Sequence, residues 1–453
     1  MSANIDFTTG SIEKGIVRFA IPLFLGNLFQ QLYNAADSLI VGNFLGPLAL
    51  ASVSSSSSLI FMMVGFFNGV AVGAGVVISR YFGARDSEKL KKAVHTDIAF
   101  GLISSIVLTV FAVIFTPSIL RLMQTPEDIM PNSIAYFRIY SYGLVFNIMY
   151  NILMGIMNAV GDSRHPLYYL ILSSMINVVL DILFVGVFGW GVGSAALATI
   201  ISQATSSILC LIKLSRVNGA HRFEIRSLKI DRRTLKEIIR YGLPSGIQNS
   251  VIGFANTIVQ TNINTFSSSA VAGSGAYSKI EGFAFLPITS FSMALTTFIG
   301  QNLGAKDLER AKKGARFGIL CSITLAELIG ICVFIFSPLL VSLFNSDPAV
   351  VRYGTNQARI EGLFYLFLAL SHCIAGILRG AGRASVPMFI MFGSWCLLRV
   401  VYITVTLLFV HNIEVVYSAY PLTWSVSSIL FLVYLKYSNW LTGFDKKHGT
   451  LSK

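Results

Sequence analysis

Two aspartates lie inside long apolar segments, and each shares a helical face with an amide side chain. Gln30, Asn34 and Asp37 are spaced at i, i+4 and i+7, and Asn177 and Asp181 at i and i+4. An ionised side chain in mid-membrane costs about 2.5 to 3.5 kcal/mol, so each acid requires a reason. Two carboxylates with neutral oxygens can hold a hard cation such as Na⁺, and two acids in one apolar enclosure also favour taking up a proton.

The alternative is architectural: Asp37 would lie near the outer interface, and Asp181 would hydrogen-bond a neighbouring helix. An internal repeat separates these interpretations, because an architectural pair should recur in both halves. The corresponding residues of the second half carry no acid: they are Val259 or its neighbour, Leu398 and Tyr402. The repeat therefore favours a functional cation site made by Asp37, Asp181 and Asn177.

The repeat itself is direct. Ile78–Ala93 aligns with Ile299–Gly314 at an offset of 221 residues, with 7 of 16 positions identical. A unit duplicated in one orientation requires an even number of membrane spans, which predicts two bundles related by an axis along the membrane normal.

Composition predicts an all-α integral membrane protein. The chain has 453 residues, 54% hydrophobic and 12% charged, with a mean hydropathy of +0.70, whereas soluble proteins carry about 25% charged residues. Twelve apolar segments are long enough to cross a bilayer at about 20 residues each. They are approximately 16–41, 50–79, 94–120, 133–158, 166–188, 190–214, 237–265, 270–299, 314–341, 355–379, 387–410 and 415–440. We predict six-helix lobes at 1–215 and 237–453, joined by a cytoplasmic linker, 216–236.

The net charge of +13 is concentrated in loops on one predicted side. Nine of the 34 Lys and Arg residues lie between Lys213 and Arg240, whereas the opposite loops around 42–49, 188–194 and 266–275 have none. By the positive-inside rule both termini are predicted to be cytoplasmic, in a cell membrane. The charge is therefore an orientation signal beside the lipid bilayer, and no nucleic-acid partner is expected.

Several motifs resemble those of the multidrug and toxic compound extrusion (MATE) family, across essentially the whole chain. They are QQLYNAADS at Gln30–Ser38, YFGA at Tyr81–Ala84, the Gly155–Gly161 segment and QNLGA at Gln301–Ala305. The resemblance implies two six-helix lobes and outward transport of cations by antiport with H⁺ or Na⁺.

The resemblance also implies roles for individual residues. In the DNA-damage-inducible F branch of the family, an amino-terminal cation site matches Gln30, Asp37, Asn177, Asp181 and Thr199 of this sequence. A proline that bends the first helix matches Pro22.

The second half departs from the norfloxacin-resistance branch, whose Na⁺ site uses acids on helices 7 and 10. Residues 246–256 and 363–373 contain no carboxylate, which predicts no cation site in the second lobe. Glu281 is interpreted either as a contact for a cationic substrate or as a partner of Arg399. Glu327 is interpreted as a helix-packing or lipid-boundary acid.

The sequence thus predicts a secondary active multidrug efflux transporter that exchanges lipophilic organic cations, such as drugs or dyes, for H⁺ or Na⁺ by alternating access. We expect a monomer without a cofactor. A flippase for a lipid-linked precursor and a major-facilitator-type transporter are the alternatives. An enzyme is not expected, because HExxH, GxSxG and GxGD motifs are missing from the sequence.

Overall fold

The computed structural model describes residues 5–123 and 125–442, apart from the side chains at positions 47, 54, 55, 57–59, 61 and 62. The chain termini predicted to be cytoplasmic, 1–4 and 443–453, lie outside these residues.

All regular elements in the described ranges are helical. The α-helices are α1 Ile12–Leu45, α2 Pro47–Gly83, α3 Ser87–Leu122, α4 Met130–Tyr142, α5 Leu144–Ala159, α6 Arg164–Asp181, α7 Val192–Arg216, α8 Arg232–Ile263, α9 Ser268–Gly304, α10 Leu308–Ser342, α11 Pro348–Gly362, α12 Tyr365–Gly380, α13 Ser385–Met391, α14 Arg399–Phe409 and α15 Ile413–Tyr437. Two π-helical segments, Ile182–Val187 and Phe392–Leu398, extend α6 and join α13 to α14. The predicted all-α fold is confirmed.

Each predicted span coincides with one helix or one interrupted helix. Within the described residues, eight helical segments are long and apolar enough to cross a membrane, and two bent pairs raise that number to ten. The pairs are α4 with α5, bent by 47°, and α11 with α12, bent by 56°. The two remaining spans are α1 and α8, the first helix of each repeat, and both carry several polar side chains.

The chain divides into two compact units. The first contains the residues up to Asp6 together with Leu25–Gly242, and the second contains Phe7–Phe24 and the residues from Leu243 onward. Both divisions fall inside helices, in α1 and in α8. The predicted lobe boundaries at 215 and 237 stay predictions.

Helices within each unit approach closely at glycines. A Cβ on Gly73 of α2 would collide with the backbone of Gly242 on α8, and one on Gly330 of α10 would collide with the carbonyl oxygen of Gly362 on α11. Small residues at such crossings allow the dispersion contacts that hold helices together in lipid. The core of the second unit collects around buried aromatic residues, including Tyr365 and Trp424.

The polar parts of the aligned segments Ile78–Ala93 and Ile299–Gly314 begin the long helices α3 and α10. In each repeat a residue with positive φ, Arg85 (54°) or Lys306 (61°), precedes an aspartate. Asp86 accepts a hydrogen bond from the backbone N–H of Lys89 (3.1 Å), as Asp307 does from Arg310 (2.9 Å). Each aspartate satisfies a free N–H at a helix start, so α3 and α10 run from these caps into the apolar segments without a break.

The connection between the repeats packs against the first unit. The backbone N–H of Glu224 donates to Nε2 of His95 (3.1 Å), and that of Asp231 donates to the Thr96 hydroxyl (3.1 Å). Tyr81 donates from its hydroxyl to the Glu237 carboxylate (2.6 Å). The polar connection and the start of α8 are therefore fixed parts of this unit.

Phe7, which precedes α1, is held by the second unit. The Phe7 ring packs against Phe19 and Phe298, with centroids 5.1 and 5.4 Å away. Its backbone N–H donates to Gln301 Oε1 (3.1 Å), and its carbonyl accepts from Arg310 Nε (2.8 Å). Gln301 belongs to the QNLGA motif, which thus has a structural role in anchoring Phe7.

Candidate functional site

The first unit brings Asp37 of α1 and Asp181 of α6 together. Asp181 and Asn177 have no solvent-exposed surface, and Asp37 is partly buried. The two carboxylates are close enough to interact electrostatically. Asp181 is the last α-helical residue before the π-helical segment, a kind of distortion that often accompanies functional sites.

Several polar atoms of this pair lack hydrogen-bond partners among the described residues. They are Oδ1 of Asp37, both carboxylate oxygens of Asp181, and both the oxygen and the nitrogen of the Asn177 amide. A buried polar atom without a partner loses its hydration with no compensation, which is unfavourable by about 1 to 3 kcal/mol. Four of these five atoms are oxygens, the ligand type that hard cations prefer. The chemistry of the group therefore fits a bound monovalent cation or a proton.

Three tyrosines lie within electrostatic range of the two acids. Asp37 and Asp181 both act on Tyr33 and on Tyr136 of α4, and Asp37 acts on Tyr140 of the same helix. The sequence analysis did not assign these tyrosines to the site. The available signals were the i, i+4 spacing of Tyr33 and Asp37 and the same spacing of the α4 pair, which places each pair on one helical face.

The other predicted site residues are less closely tied to this group. Gln30 is exposed on α1. Thr199 is buried on α7, where its hydroxyl donates to the Ala195 carbonyl one turn earlier (3.1 Å). Pro22 is buried within α1, among the residues that belong to the second unit.

The second unit contains a buried charged cluster of its own, and Glu281 belongs to it. Glu361 of α11 has no exposed surface, and Arg399 at the start of α14 is 1% exposed. The guanidinium interacts electrostatically with both Glu281 and Glu361. Arg399 and Glu281 thus interact electrostatically without a close ion pair, and the two interpretations of Glu281 stay predictions. The sequence analysis did not identify Glu361. It lies just before the segment 363–373, whose lack of acids was the reason to expect no second site.

Neutral groups orient the Glu361 carboxylate. It accepts hydrogen bonds from the Gln357 amide (2.9 Å) and from the Tyr277 hydroxyl (3.2 Å). The Tyr277 hydroxyl also lies 2.9 Å from the Tyr365 hydroxyl.

Arg399 is held separately from the acids. Its Nη2 donates to the Thr423 hydroxyl (2.9 Å) and its Nη1 to Asn256 Oδ1 (3.2 Å). The guanidinium carbon lies 4.4 Å from the centroid of the Tyr420 ring, a cation–π arrangement.

Glu327 accepts a hydrogen bond from the backbone N–H of Leu366 (3.1 Å). Leu366 is in the first turn of α12, where backbone N–H groups have no helical partner. Glu327 of α10 thus stabilises the start of α12 after the bend, in agreement with its interpretation as a helix-packing acid.

The MatE family model matches the chain twice, at residues 22–183 and 244–405, which are the two repeats. The chain belongs to the MATE family. It is 29% identical over 439 residues to the probable multidrug resistance protein YoeA of Bacillus subtilis, covering 94% of each protein. It is 27% identical to the probable multidrug resistance protein NorM of Thermotoga maritima, covering 84% of this chain and 83% of the relative.

Solved MATE structures share the fold. An outward-facing MATE family transporter of the MOP superfamily superposes with a TM-score of 0.90 at 23% identity, covering 96% of this chain and 98% of the other. A MATE crystal structure described as the bent conformation gives a TM-score of 0.89 at 23% identity, with 96% and 97% coverage. The chain is therefore a multi-pass membrane protein with the MATE transporter fold.

Proposed function

We propose that this MATE family member is a secondary active exporter that exchanges lipophilic organic cations for H⁺ or Na⁺. The observation that carries the proposal is the pair of carboxylates Asp37 and Asp181. Oδ1 of Asp37 and both oxygens of Asp181 are buried and lack protein partners among the described residues. The names of the relatives support the substrate class, since they are called multidrug resistance proteins.

The proposed coupling is competition at the acidic pair. A cation or proton arriving from outside neutralises Asp37 and Asp181, which removes the negative charge that retains a cationic substrate. The membrane potential supplies about 2.3 kcal/mol per elementary charge at 100 mV, enough to drive export without ATP.

Alternating access is assigned to α1. Pro22 cannot donate a backbone hydrogen bond, so the helix can bend there at a smaller penalty than elsewhere. In this hypothesis, neutralisation of Asp37 on the same helix changes the balance between its straight and bent forms.

Dye efflux from proteoliposomes tests the proposal, with pH and Na⁺ gradients imposed separately. We expect one gradient to drive efflux and Asp37→Asn to abolish that response while the melting temperature is retained. Glu88→Gln is the matched control, because Glu88 is an acid of the same unit with 79% side-chain exposure.

The proposal fails in either of two cases. The first is unchanged gradient-driven efflux by the Asp37→Asn variant. The second is efflux by the unaltered protein that responds to neither gradient.

A further inference from the structure

The charged cluster of the second unit occupies the repeat-equivalent place of the Asp37–Asp181 group. At the 221-residue offset, Gln357 and Glu361 correspond to Tyr136 and Tyr140, and Tyr420 corresponds to Thr199. The same offset takes Arg399 to Val178, which lies next to Asn177. Duplication has therefore produced two polar enclosures on one scaffold, with different charges.

The two enclosures differ in how their acids are balanced. In the first unit, Asp37 and Asp181 act on each other, and no basic group among the described residues acts on either. In the second unit, Glu281 and Glu361 share their enclosure with the guanidinium of Arg399. A buried acid pair without a positive charge is strongly unfavourable, whereas one with a fixed base is partly neutralised.

The direct contacts of the Arg399 guanidinium resemble those of a coordinated cation more than those of an arginine in an ion pair. Among the described residues, no salt bridge of 4.0 Å or less joins the guanidinium to Glu281 or Glu361. Its direct partners are the neutral oxygens of Thr423 and Asn256 and the face of Tyr420. An oxygen shell beside two carboxylates is the environment that a free cation would otherwise require.

We propose that Arg399 is a tethered counter-ion, a guanidinium that takes the place of a bound cation near Glu281 and Glu361. A tethered charge cannot dissociate, so one positive charge stays beside the two acids of the second enclosure at any external ion concentration. This last step rests on the proposed function: the coupling ion then exchanges at the Asp37–Asp181 group of the first unit.

The test is chemical rescue in the full-length protein. Arg399→Ala removes the tethered cation, and we expect a lower melting temperature in detergent. Millimolar guanidinium is expected to recover at least half of that loss, because a small cation can occupy the vacated place. Arg352→Ala is the control, since Arg352 is an exposed arginine of the same unit, and guanidinium should not raise its melting temperature.

A double-mutant cycle tests the link to the acid. If Arg399 compensates Glu361, then Glu361→Gln should remove most of the penalty of Arg399→Ala, so that the two effects are far from additive. Additive penalties, or equal effects of guanidinium on Arg399→Ala and Arg352→Ala, would overturn the proposal. If Arg399→Ala alone does not fold, the double variant decides. A double variant that folds supports the proposal. A double variant that does not fold, although Glu361→Gln alone does, overturns it.

A final measurement separates this proposal from the proposed function. In an Asp37→Asn/Asp181→Asn background, with Arg399 retained, Na⁺ should not shift the melting temperature, and adding Arg399→Ala should create a dependence on Na⁺ or guanidinium. A Glu361-dependent stabilisation by Na⁺ while Arg399 is present contradicts the tethered counter-ion. None of these readouts involves transport, so loss of efflux activity does not affect them.

Discussion

The buried amide of Asn177 makes no hydrogen bond to the described part of the protein. Its amide nitrogen and oxygen are both buried, and neither has a hydrogen-bond partner among the described residues. Leu398 stands at the equivalent position of the second repeat, so the scaffold accepts an apolar side chain there. This observation supports the proposed role of the amide as a ligand of the coupling cation.

We expect Asn177→Leu to separate stability from coupling. Removing two unsatisfied polar atoms should leave the free energy of unfolding unchanged or raise it by about 1 kcal/mol, whereas gradient-driven efflux should fall at least tenfold. Melting temperature and proteoliposome efflux measure the two effects. A variant that loses stability and keeps its coupling would show that the amide is structural.

At the residue scale, the sequence identified residues that stand out by helical spacing or by the free-energy cost of a charge inside a membrane span. Asp37 and Asp181 were predicted because charges inside apolar spans are rare, and the structure brings them together. Glu361 was missed, although Gln357 lies four residues earlier on the same face. The acid is placed just before a 56° bend, and no local pattern shows which buried helix faces meet across it.

At the element scale, capping residues determine where the long helices begin. Asp231 precedes α8 and accepts hydrogen bonds from the Thr234 hydroxyl (2.7 Å) and backbone N–H (2.9 Å). These two bonds lower the pKa of the Asp231 carboxyl. Because the folded pKa is depressed, the stabilisation is complete above the ordinary value of about 3.9 and is lost as the pH falls through the folded pKa.

Asp231→Ala should therefore lower the free energy of unfolding by about 1 kcal/mol at neutral pH. The difference between this variant and the unaltered protein should shrink as the pH is lowered below about 4. Melting temperatures measured across this range check the expectation. A difference that grows with acidity would contradict the capping role.

Close glycine contacts make a second prediction about elements. Gly330→Ala should destabilise the second unit by about 1 to 3 kcal/mol, because the added methyl group collides with the Gly362 carbonyl across the α10–α11 contact. Gly275→Ala in α9 is the matched control, since nothing lies within 4 Å of its Cβ position. Equal melting temperatures of the two variants would show that the helices separate easily.

Hydropathy predicted the positions of the membrane spans, but it did not predict where helices within a span are interrupted by a bend. Twelve apolar segments marked the spans because each needs about 20 residues to cross the bilayer. At the bend between α11 and α12, Glu327, which is distant in sequence, accepts the N–H of Leu366. A helix end satisfied by another helix leaves no signal in its own segment.

At the scale of the whole molecule, the repeat predicted two bundles but not how they share the chain. The first unit includes 216–242, which were expected to form a linker and the start of the second lobe, and the second includes Phe7–Phe24. These assignments depend on tertiary contacts, such as those of Phe7 with Phe298 and of Tyr81 with Glu237. Sequence similarity between the halves carries no information about such contacts.

Two amino-terminal fragments test this division. A fragment ending at 242 should resist proteolysis better than one ending at 215, because only the longer one retains Glu224, Asp231 and Glu237 as partners for α2 and α3. Limited proteolysis of both fragments in detergent makes the comparison. Equal cleavage rates would support the predicted boundary at 215.

The anchoring of Phe7 by Gln301 and Arg310 has a consequence for biogenesis. A ribosome makes Phe7 long before Gln301 and Arg310, so these hydrogen bonds form only after more than half of the protein has been synthesised. A chain arrested before Phe298 is synthesised lacks the partners of Phe7 that the second repeat supplies.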